Sequence, residues 1–162
     1  MKNLLLSLFS PSDLKRLEPH LKSARFEQHH VLFEADEQIS HVYFPTSAVV
    51  SLVVTLSTGD MIEAAMVGND GVVGASAALD GKVAPSRGII QLGGEIVVCD
   101  IDALKSIALQ SPKLLALLVR HEQAVFAQAQ QSAAGGTSGG DSQASDDEVA
   151  DAEIVDDDQQ SA

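Results

Sequence analysis

The chain runs to 162 residues, with 23 acids against 10 bases, a formal net charge of −13 and one cysteine. Nine of the acids fall in residues 135–162, which contain no Lys, Arg or aromatic residue, so the body before them is nearly neutral. A body without clustered Lys and Arg disfavours binding to nucleic-acid phosphates; a single cysteine excludes an internal disulfide; and no apolar run reaches the length of a membrane span.

In chain order, Leu4-Leu5-Leu6-Ser7-Leu8-Phe9 is too short for the apolar core of a secretion signal. Pro11-Ser12-Asp13 follows it in place of a small-residue cleavage site. A cytoplasmic location is therefore expected, in keeping with the unpaired Cys99. Ser10 as cap, Pro11 in the first turn and Asp13 near the positive end open a helix. It carries Leu14, Leu17 and Leu21 at helical spacing, and Pro19 shortens or kinks it. From Ala24 the period falls to two. Val31-Leu32-Phe33 and His41-Val42-Tyr43-Phe44 read as short strands joined by the solvated loop Glu34 to Gln38, and Val49 to Leu56 as the best strand, with Val50, Leu52, Val54 and Leu56 on one face. Ser57-Thr58-Gly59-Asp60 turns the chain into a returning strand, Met61 to Val67. Farther on, Gly88 to Leu92, the turn Gly93-Gly94 and Glu95 to Val98 read as a second hairpin. Strands at this spacing describe an antiparallel sandwich or roll.

Between the hairpins lies Gly68-Asn69-Asp70-Gly71-Val72-Val73-Gly74-Ala75, followed by Pro85-Ser86-Arg87-Gly88. A glycine-rich turn entering a short helix presents backbone N–H groups to an anion, and a nearby arginine closes such a site. The candidate binding residues are Gly71, Val72, Gly74, Ala75, Ser86, Arg87 and Gly88. Cys99 reads as a small buried hydrophobe. His29 and His30 would point to opposite sides of a strand, and His20, His41 and His121 are isolated, so no metal site is expected. No nucleophile–base pair or carboxylate pair stands out, so the chain is expected not to be an enzyme.

Helical patterning returns with Asp100 or Asp102 as a cap and Leu104, Ile107 and Ala108 as the apolar face. Ser111-Pro112 opens a longer helix to about Ala134, about 30 Å at 1.5 Å per residue. Its first half is apolar on more than one face, which implies a partner helix. Leu114, Leu117, Leu118, His121 and Val125 are the expected dimerisation residues, and Gln128, Gln130, Gln131 and Ser132 weaken the later seam.

The motifs His41-Val42-Tyr43-Phe44-Pro45, Val49-Val50-Ser51-Leu52 and Val67-Gly68-Asn69-Asp70-Gly71-Val72-Val73-Gly74, in this order over about residues 3–134, resemble the catabolite-activator/fumarate-nitrate-regulator (Crp/Fnr) family of bacterial transcription regulators. The resemblance implies a mainly β fold with flanking helices: a double-stranded β-helix jelly roll of about eight strands, of the cyclic-nucleotide-binding-domain type. It divides the chain into a sensor domain (1–110), a long dimerisation helix (111–134) and a disordered linker and acidic tail (135–162). It also implies that Gly71 and Gly74 match the cassette glycines and that Arg87 stands near the phosphate-binding arginine. Two positions depart from the pattern. Val72 replaces the ribose-binding glutamate, and Gly88 stands where a small hydroxyl residue is usual. Losing one charge-assisted hydrogen bond costs about 1.5–3 kcal/mol, or roughly tenfold to over a hundredfold in affinity, so no cofactor is expected and tight cyclic nucleotide binding is disfavoured. One cysteine is too few for an iron–sulfur cluster.

Family members continue from the long helix into a winged helix-turn-helix. Here Gly135 to Gly140 reads as a flexible linker, and Asp146 to Asp158 resembles the disordered C-terminus of DnaK-type chaperones. The resulting expectation is a truncated regulatory sensor module. It would not bind DNA by itself, would contact no membrane, and would form a homodimer or a heterodimer with full-length relatives. The alternative is a stand-alone small-molecule-binding or protein-interaction domain with an acidic recruiting tail.

Overall fold

The computed structural model describes residues 2–79 and 81–136. The acidic tail, with most of its linker, lies outside the described residues. Two short helices, α1 (Leu4–Ser7) and α2 (Pro11–Leu17), lead through a 3-10 turn (Glu18–His20) into seven strands: β1 (Leu21–Phe26), β2 (Val31–Phe33), β3 (His41–Pro45), β4 (Val49–Thr55), β5 (Met61–Val67), β6 (Arg87–Leu92) and β7 (Gly94–Asp100). The short helix α3 (Ala75–Leu79) interrupts them after β5, and α4 (Ile101–Gln110) and α5 (Pro112–Gly136) end the described chain. Every pairing is antiparallel. One sheet has the order β1-β7-β3 and the other β2-β6-β4-β5, and the two enclose the core of a jelly roll with helices on its flank.

Several elements form as their local sequence dictates. Ser10 caps α2 by accepting from Asp13 N at 3.2 Å. Asp13 is itself buried, and its Oδ2 accepts from the hydroxyls of Ser10 and Ser111, each at 2.8 Å. Those two bonds offset the cost of burying the carboxylate and tie α2 to the start of α5. Asp100, rather than Asp102, caps α4 through Ala103 N. Asn3 caps α1, a helix the apolar run Leu4 to Phe9 did not reveal.

Four expectations are corrected. Leu21 does not continue the first helix: Pro19 sits in a 3-10 turn and Leu21 opens β1 opposite Cys99. His29 and His30 are not strand residues; they lie in the turn between β1 and β2, with His29 at φ 70°. The run Arg87 to Asp100 is not a hairpin, because β6 pairs with β2 and β4 while β7 pairs with β1 and β3. Gly93-Gly94 therefore passes the chain from one sheet to the other. Glycine is needed there because a Cβ at Gly94 would lie 2.6 Å from Ala48 N and one at Gly93 3.1 Å from Gln28 N.

The fourth concerns α5. Leu114 and Leu118 are fully buried in the chain's own hydrophobic core. Leu117 and Val125 are half-buried against the same core. The apolar excess that suggested a partner helix is thus largely taken up inside the chain. Gln128 serves the fold as well, since its Oε1 accepts from Met66 N of the edge strand β5 at 2.6 Å. The large apolar side chains that α5 leaves exposed are Val119 (41%) and Phe126 (64%).

Candidate ligand pocket

The glycine-rich stretch leaves β5 at Val67 and folds into a tight turn, with Gly71 N donating to Gly68 O. Three contacts fix it. The Asn3 side-chain amide donates to Gly71 O and Pro45 O, both at 2.8 Å. Val73 exchanges two backbone hydrogen bonds with Tyr43 on the opposite sheet. From α5, His121 Nε2 lies 2.8 Å from Val72 O and 3.2 Å from Val72 N. The ring packs so closely that a Cβ on Gly71 would fall 2.5 Å from its Cε1, which is why residue 71 is glycine. Burial holds the His121 pKa below its ordinary value, against the bond to Val72 and the charge of Asp70. Gly74 has φ 91°, and a Cβ there would meet Ile39 Cδ1 at 2.9 Å. The left-handed turn it makes starts α3.

Beside this turn opens a cavity of about 660 Å³. One wall comes from β4 and β5, with Leu52, Val54, Ile62 and Ala64; the opposite wall comes from α5, with Glu122, Val125, Phe126 and Ala129. Of the sequence-derived candidates, Val72, Gly74 and Ser86 line it. The others do not. Gly71 packs under His121, Ala75 is fully buried, and Gly88 lies beneath the Phe33 ring, whose Cζ would be 2.7 Å from a Cβ there. Arg87 is absent from the cavity wall, and its Nε lies 3.2 Å from Glu34 Oε2. The acidic loop Glu34 to Gln38, read as merely solvated, thus supplies the arginine's partner.

The residue that sequence reasoning missed is Glu122. Its carboxylate accepts from both the hydroxyl and the backbone N–H of Ser76, at the start of α3. Burial pushes its pKa up, and those two bonds act in the opposite sense. A signal was present: Glu122 sits at helical spacing between Leu118 and Val125, so a charge interrupts the inward stripe of α5. Cys99 is fully buried, and burial, reinforced by Asp100, pushes its thiol up to about 12, which makes it inert. Among the described residues no cluster of His, Cys, Asp or Glu could hold a metal ion, and no helix is long and apolar enough to cross a membrane.

No family model and no curated protein sequence matches the chain. The fold does match solved structures of cyclic nucleotide-binding domains and Crp-type regulators. One is a cyclic nucleotide-binding domain from Methylobacillus flagellatus, 17% identical, with a TM-score of 0.66 over 79% of this chain and 74% of that one. Another is the c-di-GMP-responsive global regulator CLP of Xanthomonas campestris, 13% identical, with a TM-score of 0.64 over 77% of this chain and 63% of the regulator. A third is the catabolite activator protein of Thermus thermophilus, 16% identical, with a TM-score of 0.59 over 83% of this chain and 61% of that protein. The chain thus spans less than two thirds of the length of both regulators. At these identities the likeness is one of fold: a cyclic-nucleotide-binding-type jelly roll followed by a long helix.

Proposed function

We propose that the chain is a regulatory sensor module and not an enzyme, in which occupancy of the cavity sets the position of α5 and α5 pairs with its counterpart in a second copy. The observation that carries this reading is that α5 forms one wall of the cavity and also holds the glycine-rich turn through His121. A ligand seated between β4–β5 and α5 therefore contacts the sheet and the helix at once, and any difference in its affinity for two positions of α5 shifts their populations. The likeness of fold to Crp-type regulators supports the same reading.

With Leu114 and Leu118 buried in the core, the helix pairs through its outer side. Leu115, half-buried, and Val119, exposed, lie there one helical turn apart, outside the cavity wall. The test is molecular mass by light scattering at tens of micromolar, with the parent and with Val119→Glu. A dimer that the substitution converts to a folded monomer is the expected result. A strictly monomeric parent removes dimerisation from the reading.

A further inference from the structure

The cavity's walls define the chemistry of what fills it. The side chains from which an anion would be held are apolar, missing or committed elsewhere. Val72 is apolar and buried at the turn. Gly88 offers no hydroxyl, and the Phe33 ring covers it. Arg87 is drawn to Glu34, outside the wall. The Ser76 N–H is bonded to the carboxylate of Glu122. The polar side chains on the wall are Ser76, Ser86 and Glu122; no Lys, Arg or His joins them. The remaining surface is aliphatic and aromatic, with Leu52, Val54, Ile62 and Phe126 among its contributors. At about 660 Å³ the space falls within the range of small-molecule sites, about 300–1,000 Å³.

We infer that this cavity takes a neutral, mainly apolar small molecule, aromatic or aliphatic, carrying a hydrogen-bond donor directed at Glu122, and that it rejects cyclic nucleotides and other anions. The inference rests on the sensor reading above and names the ligand class for that same site. A carboxylate accepts about four hydrogen bonds, and Ser76 supplies two, so Glu122 retains acceptor capacity on the cavity side for an N–H or O–H of the ligand. The same carboxylate repels a phosphate, and burial among apolar side chains strengthens that repulsion.

The experiment uses the full chain and N-phenyl-1-naphthylamine, a neutral aromatic amine whose fluorescence rises in apolar surroundings, alongside calorimetry with cyclic AMP at about millimolar concentration. Ala64→Phe and Ala129→Phe fill the cavity from its two walls, so that if one fails to fold the other still decides. The expected result is saturable one-to-one probe binding, weakened about tenfold or more by either substitution, a loss of about 1.4 kcal/mol or more, with no heat from cyclic AMP. Probe binding indifferent to both substitutions places the probe elsewhere and overturns the inference. A dissociation constant for cyclic AMP on the order of micromolar overturns the ligand class but leaves the sensor reading standing. If neither molecule binds, the sensor reading falls with it.

Discussion

At the scale of single residues, His121 and Glu122 are neighbours on α5 with opposed titration behaviour. Burial lowers the pKa of His121 from its ordinary 6.5, so on acidification the unfolded chain takes up this proton before the folded one. Its contribution to stability is whole above about 6.5 and is lost as pH falls from there towards the depressed folded value. Glu122 runs the other way. Its folded pKa stands above the ordinary 4.5, so its contribution is whole below about 4.5 and is lost as pH rises through the raised folded value. Between these limits the two slopes oppose each other, and the parent is buffered against mild acid. Glu122→Gln keeps an acceptor for Ser76 and removes one of the two slopes. Urea midpoints at about pH 7 and about pH 5 should therefore fall further for the variant than for the parent. Equal falls would mean that Glu122 does not couple folding to protons.

At the scale of elements, the crossing at Gly93-Gly94 shows what alternation conveys and what it does not. A period of two marks β6 and β7 as strands, but alternation is local and carries no information about which partner accepts each backbone bond. Two strands joined by Gly-Gly read equally well as a hairpin or as a passage between sheets. What distinguishes them is the backbone of residues 46–48, whose three N–H groups converge on Glu95 O. Spacing likewise brought Arg87 close to the cassette but could not tell on which side of β6 its guanidinium would fall. Glu34, more than fifty residues earlier, decides that. Capping, by contrast, is local chemistry, and Ser10 and Asp100 were legible for that reason. The crossing also sets a contrast between two glycines. Gly59 has φ 91° with open space around it, so Gly59→Ala costs only backbone strain, about 1 kcal/mol. At Gly94 the obstacle is backbone on the far side, which cannot rotate away, so Gly94→Ala should cost clearly more than Gly59→Ala. Chemical denaturation of both variants orders the two costs, and the reverse order would contradict the crossing.

At the scale of the whole molecule, the core is continuous from Leu5 to Leu118 and draws on both sheets and on all five helices. Its N-terminal boundary is held by Asn3 on the glycine-rich turn, and its C-terminal wall by α5 on β5 through Gln128. Sequence patterning indicated the roll and the long helix because both rest on repeated, local burial. It did not indicate that α5 spends its apolar stripe on its own domain, because leucines at helical spacing look the same whether they meet a sheet or a second helix. The distinction matters for the acidic segment that follows. The buried hydrophobic residues of the described chain all lie at or before Leu118, and the last residue on the cavity wall is Ala133. A chain ending at Gly136 keeps all of these and loses nine acids, the greater part of the net charge of −13. If residues 137–162 contribute no burial, the shortened protein should unfold within about 0.5 kcal/mol of the parent, the spread of surface changes remote from the core. It should also bind the neutral probe with unchanged affinity. Circular dichroism melts of the two chains, run at low and at high salt, separate the possible contributions. A deficit present at both salt concentrations would mean that the segment packs on the domain. A difference confined to low salt would come from repulsion between its carboxylates and the body.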